Sequence, residues 1–139
     1  MYFEAIINSI IIDNNTNFPV INLETEKHIL PVVIGYNEAM AITIAIEKKE
    51  VPRPLTHDLI TTIIKGFNSE LEGVYIYKLE DGTYYAKIRL IRIDSNQPGH
   101  KNILEIDCRP SDAIAICLRL NSKIFIEEKI LEVAGIKKS

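Results

Sequence analysis

Two short stretches of the chain concentrate residues able to do chemistry. Residues 52–59 read PRPLTHDL and residues 106–114 read IDCRPSDAI. Each sets an arginine beside a proline, then a hydroxyl, then an aspartate ahead of an apolar run. In the first, Thr56, His57 and Asp58 are consecutive, and imidazole titrates near neutrality, which suits it to moving a proton. In the second, Asp107 stands two residues before Arg109, with Ser111 and Asp112 after the proline. Carboxylates hold hard divalent cations, and guanidinium groups grip phosphate oxygens in pairs. If these segments converge, Glu38, Asp58, Asp107 and Asp112 are expected to hold Mg²⁺ or Mn²⁺. His57 would act as base or acid, with Arg53 and Arg109 clamping a phosphate.

The same residues also mark helix starts. Pro54 and Pro110 disfavour helix at the residue before each, Thr56 and Ser111 can cap free N–H groups, and Asp58 and Asp112 sit where the helix dipole favours negative charge. Asn37 before Glu38 repeats the arrangement. A helix start that carries its own carboxylate is a poor bare phosphate cradle, so phosphate would need a bridging metal or the arginines. The chain has no Gly-rich phosphate loop, no G-x-S-x-G elbow and no H-E-x-x-H helix. His28 and His100 stand alone and make no site.

The elements that must position these groups follow from pattern. Residues 2–12, 18–24 and 28–35 predict strands. The run VYIYKLEDGTYYAKIRL predicts a hairpin turning at Asp81-Gly82. Counting outward from that turn puts Tyr75, Tyr77 and Leu79 on a core face with Tyr84, Ala86 and Ile88. The opposite face carries Lys78, Tyr85, Lys87 and Arg89, cations and an aromatic that could track a nucleic-acid backbone, although a solvated face or a subunit contact is the commoner use. Buried helices are expected at 37–48 and 111–121. The stripe Leu59, Ile60, Ile63, Ile64 and Phe67 predicts an amphipathic helix between them, and residues 95–102 form the most loop-like stretch. A short strand at 124–126 and a helical turn from Glu127 to Ala134 end the chain.

With 139 residues and 47% hydrophobic side chains, the chain can bury a core of its own without disulfides or structural metal. Cys108 and Cys117 are therefore expected as reduced core residues. The net charge of −3 argues against tight non-specific coating of nucleic acid. The opening MYFEAIINSIIID carries Glu4 and Asn8 and is too short to span a bilayer, so a cytoplasmic protein without membrane contact is expected.

The blocks LPVVIG (30–35), EAMAI (38–42), PRPLTHDL (52–59), DGTYYA (81–86) and IDCRPSDAIAI (106–116) resemble the bifunctional nuclease domain family, with RPLTHDL and RPSDAI the specific parts. The resemblance implies one α+β domain over residues 1–139, built on a strongly bent, mostly antiparallel sheet with three main helices and a short C-terminal one. It further implies a homo-oligomer and the hydrolysis of RNA and DNA ascribed to plant relatives. Motif positions carried over are Arg53, Thr56, His57, Asp58, Asp107, Arg109, Ser111 and Asp112. Thr56 and Ser111, together with Lys87 and Arg89, are then expected to touch substrate. The rival expectation is a non-catalytic oligomeric module whose Arg and Asp motifs cap helices and join subunits.

Overall fold

The computed structural model describes residues 1–93, 96 and 99–139. Of the connection expected at 95–102, residues 95, 97 and 98 lie outside the described residues. In chain order the elements are β1 (Tyr2–Ile12), β2 (Pro19–Glu24), β3 (His28–Val33), α1 (Tyr36–Glu47), α2 (Thr56–Gly66), β4 (Ser69–Glu80), β5 (Thr83–Ile93), β6 (Lys101–Cys108), α3 (Pro110–Arg119), β7 (Ile124–Glu127), α4 (Glu128–Ala134) and β8 (Ile136–Lys137). The expected α+β architecture is present. One eight-stranded sheet runs β6-β5-β4-β7-β1-β2-β3-β8, and only the β4–β7 pairing among these is parallel. β1 joins the two halves: Tyr2–Ala5 pair with β7, and Ile6 onward with β2, with a bulge between Ile7 and Ser9.

The core is one apolar cluster that includes Ile21, Leu23, Leu30, Ile42, Ile76, Ile114 and Ile126, all fully buried. Removing side chains of this kind from water stabilises by about 1.5–3 kcal/mol apiece. α3 is the centre of the helical layer. From Pro110 to Cys117 only Asp112 is not buried, and its small residues Ser111, Ala113 and Ala115 let α1 and α2 pack on it above β4 and β5.

The hairpin turns as expected, with Asp81 at φ 51° and Gly82 at φ 76°, the positive angles that an Asp-Gly turn supplies. Its faces differ from the count. A bulge between Ile76 and Lys78 slips the register by one residue, so Val74 and Ile76 join Ala86 and Ile88 beneath the helices. Tyr75 moves to the outer face beside Lys87. There it packs against Tyr2 and Phe125, with ring centroids 5.1 Å from each, which buries it without the core. Counting from the turn cannot detect an extra residue at Tyr77, four positions before Asp81.

The helix caps also differ. The N-cap residues are Gly35, Leu55 and Arg109, none with a side-chain cap bond, so Thr56 and Ser111 lie inside their helices and do not cap them. α2 presents Ile64 and Thr61 to the core, while Leu59, Ile63 and Phe67 from the expected core stripe are exposed. That leaves an apolar ridge that none of the described residues covers. Among the described residues no helix is long and apolar enough to cross a membrane.

Candidate functional site

α1, α2 and the β6–α3 junction meet around one cavity of about 1210 Å³. Its walls are mainly apolar, with Ile44 from α1, Ile60 and Phe67 from α2, and Leu104 and Ile106 from β6. Polar groups collect at the helix starts, where Glu38, Thr56, His57, Asp107, Arg109 and Asp112 border it.

His57 lies in the first turn of α2 and Asp112 in the first turn of α3, and packing of the two helices brings His57 Nε2 to 2.9 Å from Asp112 Oδ1. Arg109, at the N-cap of α3, bridges the same aspartate through Nε to Oδ2 at 3.0 Å and Nη2 to Oδ1 at 3.2 Å. Its Nη1 donates to Glu38 Oε1 at 3.0 Å, so Arg109 links the starts of α1 and α3, and Asp112 links α3 to α2 through His57. Glu38 folds back over Gly35, where a β-carbon would come within 2.7 Å of Glu38 Oε2; a glycine there leaves the carboxylate room. Burial pushes the Asp112 carboxyl up, but the bonds from Arg109 and His57 outweigh it and hold the group below its ordinary range. The same contacts raise the Arg109 guanidinium further. The Arg109 side chain is 65% exposed. A guanidinium has five N–H bonds; three serve Asp112 and Glu38, which leaves two free to meet an anion.

The remaining expected residues are placed elsewhere. The Asp58 carboxylate is held by Arg119 Nε at 2.7 Å and by the backbone N–H of Leu55 at 2.8 Å, and does not border the cavity. The Arg119 bond, then the Leu55 bond, hold its carboxyl below the usual carboxylate range. Asp107 borders the cavity, but Tyr77 Oη donates to its carboxylate at 2.7 Å, and this bond pushes the Tyr77 hydroxyl up to about 12. Arg53 is exposed in the segment before α2 and Ser111 is buried inside α3; neither borders the cavity. Lys87 and Arg89 lie on the outer sheet face, tied to Glu105 and set against the rings of Tyr77 and Tyr75. Cys108 and Cys117 are free, as expected, and burial pushes both thiols up to about 12, so neither is primed as a nucleophile.

A divalent cation needs several oxygen donors converging on one point. The expected set of Glu38, Asp58, Asp107 and Asp112 does not supply it. Glu38 and Asp112 share Arg109, Asp58 is held by Arg119 and Asp107 by Tyr77, and among the described residues no group of three His, Cys, Asp or Glu side chains gathers closely enough to hold an ion. Reading the sequence missed Arg119 and Tyr77. Arg119 sits 61 positions from Asp58, a separation over which no local pattern operates.

A family model described as the bifunctional nuclease domain matches residues 20–139. An uncharacterized protein of Mycobacterium tuberculosis is 37% identical over 127 residues, covering 90% of this chain and 71% of that protein. Bifunctional nuclease 1 of Oryza sativa subsp. japonica is 22% identical over 109 residues, covering 78% of this chain and 32% of the relative. Bifunctional nuclease 2 of the same rice is 25% identical over 122 residues, covering 86% and 36%. The chain thus spans about a third of the rice proteins it matches.

Proposed function

The chain belongs to the bifunctional nuclease domain family, and on that premise we propose that it hydrolyses phosphodiester bonds of RNA and DNA in the cytoplasm, as a homo-oligomer, through His57, Asp112 and Arg109. The observation that carries the reading is the His57–Asp112 hydrogen bond beside an exposed guanidinium with two N–H bonds to spare.

With Nε2 donating to Asp112, the other ring nitrogen of His57 is left as the proton acceptor; the bond fixes the tautomer and steadies the imidazolium that forms. His57 Nδ1 takes a proton from the attacking water, the new bond forms between water oxygen and phosphorus, and the bond to the leaving sugar oxygen breaks. That oxygen takes its proton from solvent or from the imidazolium. Arg109 meets the non-bridging oxygens, where charge grows in the transition state. Thr56 stands beside His57 on the cavity rim and suits a contact to substrate. Because the carboxylates do not assemble a ligand set, no step is routed through a metal. Glu38, Asp107 and Asp112 outnumber the two arginines that line the cavity, Arg92 and Arg109, so affinity for polyanions is expected to be low and to fall with salt.

The test is cleavage of single-stranded RNA and DNA, with Mg²⁺, with Mn²⁺ and in EDTA, by wild type, His57→Gln and Arg109→Ala. The reading expects a loss of at least about 100-fold in each variant. Wild-type rates in either variant would remove the site. A second reading, a non-catalytic module, is favoured by the fact that every rim carboxylate is already paired; it expects no activity in any metal and a melting temperature that drops when Arg109 is removed.

A further inference from the structure

The cavity described above is far more apolar than a nucleic-acid groove, and its outer wall is open. Met40, Ile63, Phe67, Ile103, Leu104 and Ile106 are each between 41% and 65% exposed around it. Scattered apolar side chains on a surface need no explanation, but a contiguous set does. Covering these six fully would bury roughly 700 Å² on one copy, close to the about 800 Å² that each partner contributes to a stable interface.

β6 supplies the second observation. Among the described residues it ends the sheet and pairs only with β5, so its outer edge carries N–H and C=O groups that none of them pairs. Natural edge strands are usually blunted by proline, bulges or covering segments. β6 contains no proline, and its pairing with β5 runs without a register shift. Its two acids do not guard the edge either: Glu105 is held by Lys87 and Arg89 and Asp107 by Tyr77.

We propose that β6 pairs antiparallel with β6 of a second copy, about a twofold axis at Leu104. Charge excludes two neighbouring positions for the axis. Centring on Glu105 would set two carboxylates directly opposite each other, and centring on Ile106 would set Glu105 against Asp107. Centring on Leu104 sets leucine against leucine and Glu105 against Ile103. A twofold axis normal to the sheet keeps both helical layers on the same side. The α2 ridge of each copy then flanks a floor made by both β6 strands, which closes the apolar wall and leaves the His57–Asp112–Arg109 mouth open. This names the surface for the self-association proposed above and is independent of the reaction.

Sedimentation velocity across a concentration series tests it. Wild type is expected as a dimer. Leu104→Lys, at a solvent-exposed site, is expected as a monomer with unchanged far-UV circular dichroism, its dissociation constant weakened by at least tenfold. Leu104→Cys provides a check that needs no disruption: mild oxidation should link two copies, while Val133→Cys on α4 and the wild type should give only baseline linkage. A monomeric wild type overturns the proposal, as does an oligomer indifferent to Leu104→Lys with no Leu104→Cys linkage. So does a monomer that releases a bound small amphiphile on denaturation, seen by mass spectrometry. Cleavage measured on the same samples separates the two ideas: a monomeric but active wild type sinks the interface alone, and an inactive dimer sinks the nuclease reading alone.

Discussion

Asp58 and Asp112 occupy the same place in two nearly repeated motifs, in the first turn of α2 and of α3, and they do different work. Asp58 is matched by Arg119, whose side chain is only 8% exposed, and by the backbone of its own helix start. Asp112 is matched by Arg109, 65% exposed, and by His57 on the rim of the cavity. One carboxylate staples two helices through a buried guanidinium, and the other joins a solvent-exposed guanidinium to His57 beside the cavity. The local motif specifies a helix start in both cases; which arginine reaches the carboxylate decides whether that start is scaffold or site.

Breaking the staple should have the largest effect on stability. Asp58→Ala strands a buried guanidinium and removes a helix-start bond, so it is expected to cost about 2–4 kcal/mol, a fall of roughly 10 °C in thermal melting. Asp112→Ala releases an arginine that is already open to solvent and should cost less than about 1.5 kcal/mol. If calorimetry ranks the two the other way, the contrast is reversed. Acid sharpens the same comparison. Both carboxyls sit below their ordinary value of 3.8 in the folded chain, so the stability they contribute is present above about pH 4 and is lost as pH falls through the lowered values. Asp58→Asn should therefore flatten the acid limb of a pH–stability curve; an unchanged limb would show that the staple carries no such linkage. The smallest change is expected at Gly35→Ala. The new methyl group displaces only the flexible end of Glu38, so stability should move by less than about 0.5 kcal/mol, while Arg109 loses one partner and its binding of inorganic phosphate strengthens, measurable by titration.

Much of the fold was legible because it rests on local signals: the Asp81-Gly82 turn, the β-branched strands, and the prolines that open α2 and α3. The rim residues His57, Arg109 and Asp112 were legible too, as types able to do chemistry. What pattern could not give was partnership. Nothing near Asp58 announces Arg119, and nothing in an alternating hairpin announces the bulge at Ile76/Lys78 that exchanges Tyr75 for Val74 in the core. The stripe on α2 misled for a third reason. Hydrophobic periodicity finds an apolar face but not what covers it, and Leu59, Ile63 and Phe67 on that face are left exposed by the described residues.

The most direct measurement is the cleavage rate per folded molecule, in EDTA and in Mg²⁺, for Asp58→Asn and Asp112→Asn side by side. The account expects Asp58→Asn to stay within a few-fold of wild type and Asp112→Asn to lose at least about 100-fold. A full loss in Asp58→Asn with an active Asp112→Asn would contradict it and move the reacting site to the other helix start.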